Sequence, residues 1–194
     1  MHNKTFKLSH LQNESRQKNI YSRLFKQHGK SHQSLHWTNR KNQQLRFEAF
    51  LSAGNLQGAS LLDIGCGFGD FLSFLKEKKI NCFYTGFDIC EEFITTAQKN
   101  FPDNRFELRN ILLKPTPEKF NYVFMSGIFA FGDAAFFRDM LRTTFETCST
   151  AIGFNIHETM HPNFFKISKK EVETFCESLG AKQIVFCENY LKDD

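Results

Sequence analysis

No stretch of the chain approaches the ~20 consecutive apolar residues that a membrane-spanning helix needs, and the first 20 residues are too polar for a secretory leader. These absences predict a cytoplasmic protein with no membrane partner. The six cysteines, at positions 66, 82, 90, 148, 176 and 187, include no C-x-x-C pair and stand nowhere at zinc-finger intervals from histidine. That excludes a disulfide framework, predicts no bound metal, and leaves reduced, mostly buried thiols. Acid is scarce at the front of the chain, where Glu14 stands alone against ten lysines and arginines in residues 1–46. Five of the seven histidines lie there too, while the remainder of the chain is net acidic at −5.

What the chain has in quantity is phenylalanine, 24 in 194 residues, spread at element-like intervals. A chain of this size buries about 70% of its unfolded surface, enough for a substantial core. The division expected is a basic tail and helical arm over 1–58, capping a binding domain over 59–194. Met1 to Glu14 is polar and lacks an apolar period, which predicts a loosely held tail. Ile20, Tyr21, Leu24 and Phe25 then share one face of a short helix that Gly29 can end. A second helix is expected from Asn39 to Leu51, after Trp37, the single tryptophan. From Ser60 onward, short apolar runs alternate with amphipathic stretches. Six strands are expected, the fifth at Ala151–Ile156 and the last at Ile184–Tyr190, with the half-polar Arg105–Asn110 run at a sheet edge. Asp133 can cap one helix, and Ser168 with Glu171 forms a capping box on another. The alternation implies an α/β fold, a doubly wound and mostly parallel sheet.

The stretch Leu61 to Asp70, LLDIGCGFGD, ends a strand, turns sharply and opens a helix. Glycines at 65, 67 and 69 permit positive φ and let a ligand lie against the main chain. A dinucleotide fingerprint requires its third glycine where Asp70 stands, which weakens an NAD reading; no Gly-Lys-Ser/Thr follows, which removes the P-loop. Asp88 closes the next strand 23 residues after Gly65, in place to accept hydrogen bonds from both hydroxyls of a ribose.

The D-x-G-x-G-x-G turn with this strand-terminal acid resembles motif I and its partner in the class I S-adenosylmethionine-dependent methyltransferases. The likeness covers about Leu61 to Glu158, and the arm is similar to that of a group of small bacterial methyltransferases. It implies a Rossmann-like sheet that usually carries a seventh strand, which the chain as read lacks, so an exposed edge and pairing with a second copy are expected. It further implies that Asp63, Gly65, Cys66 and Gly67 border the methionine part of the cofactor. Asp88 would hold the ribose and Ile89 the adenine face, while Asn110 and Ile111 would meet the adenine edge. Ser126 and Gly127 would lie near the methyl group. Tyr21, Trp37, Gln44 and Arg46 would form a lid, with Arg46 pairing the carboxylate.

His157 is the first candidate for a catalytic base, ahead of Glu158, His36 and Tyr21. Strand four ends MSGIF, not in an Asn/Asp-Pro-Pro-aromatic turn, which disfavours methylation of exocyclic amines. A small-molecule acceptor is expected. Two alternatives stay open: an RNA acceptor drawn by the basic arm, and a non-catalytic protein that binds S-adenosylmethionine.

Overall fold

The computed structural model describes residues 2–37, 39–156 and 164–188. Its helices are α1 (His2–His28), α2 (Arg40–Phe50), α3 (Asp70–Glu77), α4 (Glu91–Asn100), α5 (Ala134–Thr147) and α6 (Lys169–Ser178). The strands are β1 (Ser60–Ile64), β2 (Phe83–Asp88), β3 (Arg105–Leu108), β4 (Phe120–Met125) and β5 (Cys148–Phe154). They form one sheet in the order β3-β2-β1-β4-β5, with every pairing parallel. This is the doubly wound arrangement, and its order reverses between β1 and β4.

The central strands are apolar on both sides because both faces are covered. Leu61, Tyr122 and Phe124 pack with α2, α3 and α4, while Leu62, Val123 and Met125 pack with α5 and α6. Along α3, Phe71, Leu72, Phe74 and Leu75 are each at most 4% exposed. Burial of each contributes roughly 1.5–3 kcal/mol. Asp133 caps α5 by accepting a hydrogen bond from the Phe136 N–H at 2.8 Å, and the Ser168–Glu171 capping box opens α6, both as the sequence implies.

Three expectations need correction. The first residues are not a loose tail: helix runs from His2 to His28 and ends where Gly29, at φ 60°, donates to the Phe25 carbonyl at 2.8 Å. Strand five begins earlier, at Cys148, and ends at Phe154. The expected strand at Ile184–Tyr190 is absent over 184–188, and 189–190 lie outside the described residues. Ile184 packs against the core, but Val185 is 65% exposed and Phe186 37%. An apolar run becomes a strand only against a neighbour, and this one pairs with none among the described residues.

Helix α1 bridges the two sides of the fold. Near its start His10 is paired with Asp139 of α5 at 3.0 Å; further on, Glu14 accepts from Asn110, just past β3, and Ser22 donates to Glu92 of α4. The helix therefore passes over the carboxyl ends of the strands. In the second half of α1, Tyr21 and Phe25 seat on a small cluster of Phe68, Cys90 and Phe93.

Candidate functional site

The turn after β1 is held in place by β2. Gly65 and Cys66 both donate their N–H to the Phe87 carbonyl, at 2.7 and 3.1 Å, and Gly67 donates to the Asp88 carboxylate at 2.9 Å. Gly65, Gly67 and Gly69 have φ of 79°, 54° and 81°. A Cβ on Gly65 would lie 2.4 Å from Ile128, and one on Gly67 would lie 2.9 Å from Leu35. Only glycine satisfies both the backbone conformation and these close approaches.

Asp88 ends β2 with its other carboxylate oxygen accepting from the Cys90 N–H at 2.8 Å. Burial raises its carboxyl above the usual range, and the N–H groups of Cys90, Gly67 and Ile89 pull the other way. Asp63 is 3% exposed and accepts the Tyr84 hydroxyl at 2.5 Å. Burial pushes its carboxyl up to about 7; the Tyr84 hydrogen bond opposes this, and the charges of Asp88 and Asp70 add to it. Burial first, then Asp88 and Asp63, raise the Cys66 thiol, so this cysteine is a protonated, unreactive lining residue.

These residues open into one cleft at the switch point. Asp63, Gly65, Cys66, Gly67, Asp88 and Ile89 line it, joined by Asn110, Ile111, Ser126, Gly127 and Trp37. At the end of β4, Gly127 donates to the Asn155 side chain at 2.7 Å. The neighbouring Ser126 hydroxyl is buried without a hydrogen-bond partner among the described residues. Such an orphan in a cleft wall marks a place for a ligand's polar atom.

The lid takes a different form from the one expected. Leu35 sits against Gly67, and the Trp37 ring lies 3.1 Å from where a Cβ on Gly127 would be. The short 3-10 turn His32–Leu35 thus closes directly onto the glycine loop. Arg46 is buried and stacked on the Trp37 ring, 4.5 Å from its centroid, and is not among the residues lining the cleft. Gln43, not Gln44, faces inward from α2 and donates to Asp70 at 3.1 Å. His36 is exposed and packs edge-on against Phe131 and Phe164. His157 and Glu158 lie outside the described residues.

The sequence reading missed most of the roof. His10, Asn13, Glu14 and Gln17 line the cleft from α1 at helical spacing, together with Tyr21, which the lid reading already included. The same 3.6-residue period that marks an apolar face was present in polar residues, and it was the signal available. Burial, with Asp88 and Cys90 adding, raises the Tyr21 phenol, so it stays neutral and able to donate.

A model of the family described as a methyltransferase domain matches residues 55–183. The chain belongs to this methyltransferase family. It is accordingly an enzyme of the methyltransferase class, and the resemblance seen in the glycine turn holds for family and fold. No curated protein matches the sequence. Among solved structures, the methyltransferase is similar to magnesium protoporphyrin IX methyltransferase from Synechocystis PCC 6803 with bound SAM, at 13% identity, TM-score 0.68 and 92% of each chain. It is also similar to a cyclopropane synthase from Mycobacterium tuberculosis, at 15% identity and TM-score 0.60, over 70% of this chain and 59% of that one. Human N-acetylserotonin methyltransferase in complex with SAM matches at 17% identity and TM-score 0.58, over 74% of this chain and 48% of the other. At such identities the likeness establishes the fold. Among the described residues, no helix of the methyltransferase is long and apolar enough to cross a membrane.

Proposed function

We propose that the protein is an S-adenosylmethionine-dependent methyltransferase that transfers a methyl group to a small-molecule acceptor. The observation that carries this reading is the meeting of the glycine loop with Asp88 at the switch point, joined by the Gly67–Asp88 hydrogen bond. The residues fit the cofactor. The orphaned Ser126 hydroxyl can take a polar atom, and the Asp88 carboxylate has lone pairs left for two ribose hydroxyls. With the ribose on Asp88, the methionine part extends along the β1 and β4 ends of the cleft toward Ser126, under a roof whose Trp37 ring is held by Arg46.

When bound, the cofactor supplies a sulfonium methyl with a neutral thioether as leaving group. The chain's own work is to align an acceptor on the far side of that methyl and to exclude water, and orientation of this kind is worth up to ~7–11 kcal/mol. Helix α1 and the 3-10 turn supply the roof that does so. We keep His157, three residues past the end of β5, as the proposed base for an acceptor proton.

We read 1–58 as the arm and 59–194 as the binding domain, a division supported by the start of the family match at 55. Two basic side chains of α1 are engaged within the fold, Lys18 with Glu14 and Arg16 with the Phe131 carbonyl, which favours a small acceptor over a polyanion. A cytoplasmic location, supported by six free cysteines, completes the reading.

Calorimetric titration of the full chain with S-adenosylmethionine, S-adenosylhomocysteine and NAD tests it. Both sulfur ligands are expected to bind and NAD not to bind. Asp88→Ala should weaken the sulfur ligands at least tenfold, since a hydrogen bond to a charged group contributes about 1.5–3 kcal/mol. Failure of both sulfur ligands to bind would refute the proposal.

A further inference from the structure

The helix α1 brings one carboxylate into the cleft far from every glycine-loop residue in sequence. The Asn110 amide N–H donates to Glu14 Oε2 at 2.8 Å, and the other Glu14 oxygen is paired with Lys18 at 2.5 Å. Asn110 Oδ1 accepts the Leu112 N–H at 3.0 Å and so closes the turn after β3, which leaves the amide NH2 turned toward Glu14. The orientation of the Asn110 amide is therefore set. Asn110 has a second N–H to give, and Glu14 Oε2 has a lone pair left to accept. A donor and an acceptor lie side by side, next to the apolar Ile111 and Ile89 that line the same cleft.

Position says which part of a ligand meets them. This inference rests on the cofactor reading above, with ribose on Asp88 at the end of β2. The methionine part runs over β1 and β4, so the base must extend the other way, to the end of β3 where Asn110 and Ile111 stand. The edge of adenine offers an amino donor at C6 beside the N1 acceptor. Glu14 and Asn110 offer the matching acceptor and donor. A 6-oxo purine presents the reverse, an acceptor at C6 beside an N1–H donor, and would set its oxygen against the carboxylate.

We propose that Glu14, carried on α1, accepts the adenine amino group and with Asn110 makes the site specific for 6-amino purine cofactors. The N-terminal helix is then a reader of the cofactor as well as a roof over it.

Binding of S-adenosylhomocysteine and its 6-oxo counterpart S-inosylhomocysteine, measured by calorimetry on the full chain, tests the proposal. The wild-type chain is expected to prefer the amino ligand at least tenfold, because a mismatched edge leaves buried polar groups unpaired. Glu14→Ala should weaken S-adenosylhomocysteine about tenfold and leave the 6-oxo ligand no weaker than in wild type, because the carboxylate opposed its oxygen, so the preference narrows; retained 6-oxo binding also shows that the variant is folded. Glu14→Gln, which keeps size and one acceptor oxygen, should fall between the two. Preservation of the preference in Glu14→Ala overturns the inference, and so does equal weakening of both ligands, which would make Glu14 a support of the helix only. A wild-type chain that binds neither ligand overturns the cofactor reading itself, and is thereby distinguished from failure of the role given to Glu14.

Discussion

Asp63 sits 3% exposed at the heart of the site, hydrogen-bonded to Tyr84, with its carboxyl raised by burial from 3.8 to about 7. The unfolded chain loses this proton near the ordinary carboxylate value, while the folded chain keeps it to about 7. Between those limits the native state binds more protons than the unfolded one, so stability falls as pH rises. The contribution is fully present below about pH 4 and lost once pH passes about 7, with a slope of at most ~1.4 kcal/mol per unit. Asp70 and Asp88 shift in the same direction, so the wild-type curve alone does not isolate Asp63. Asp63→Asn does, since the amide stays neutral throughout. Urea unfolding from pH 4.5 to 7.5 should show a flatter profile for the variant than for wild type. Parallel curves would mean that Asp63 is ionised in the fold throughout this range.

Helix α1 is the element on which roof and reading both depend, and its seat is small. Tyr21 packs edge-on against Phe93 at 5.9 Å and Phe131 at 6.1 Å, while Phe25 meets Phe68 and Phe93 at 6.0 Å. Tyr21→Ala should cost about 2 kcal/mol of docking, less than a fully buried ring because Tyr21 is half-buried. Hydrogen exchange should then show α1 amides about 30-fold less protected, with β1 and β4 unchanged; a uniform loss would mean that α1 and the sheet unfold together. The same helix shows what was legible in the sequence. α3, α5 and the central strands were readable because their buried faces are apolar and their periods declare themselves. The inward stripe of α1, from His10 through Glu14 to Gln17, is polar because it faces a ligand cleft, and so an apolar-period reading makes its first part, up to Glu14, a tail. Composition also misled at Ile184, Val185 and Phe186, where strand-forming residues meet no partner strand. Asp63, Asp88 and the glycines were legible because turn chemistry is local. The Glu14–Asn110 pair was not, since 96 residues separate its members.

Across the whole molecule, the two edges of the sheet are protected unequally. β3 carries Arg105 and Glu107, joined with Arg109 and Glu118 in a chain of ion pairs that charges that edge against strand pairing. β5, of sequence CSTAIGF, has no charged residue, and it pairs only with β4 among the described residues. Ser149 and Thr150 are exposed, and the 183–188 segment adds no ladder beside them. An uncharged edge whose backbone groups meet no further strand among the described residues is a template for another strand, and a second copy of this chain offers an identical one. Self-association is therefore expected through β5, and sedimentation velocity from micromolar to submillimolar protein should show the weight-average mass rising with concentration. Thr150→Lys places a charge on that edge while leaving the cleft lining intact, so it should hold the protein monomeric without changing S-adenosylhomocysteine affinity. A wild-type chain that sediments as a monomer throughout would show that β5 is covered in solution.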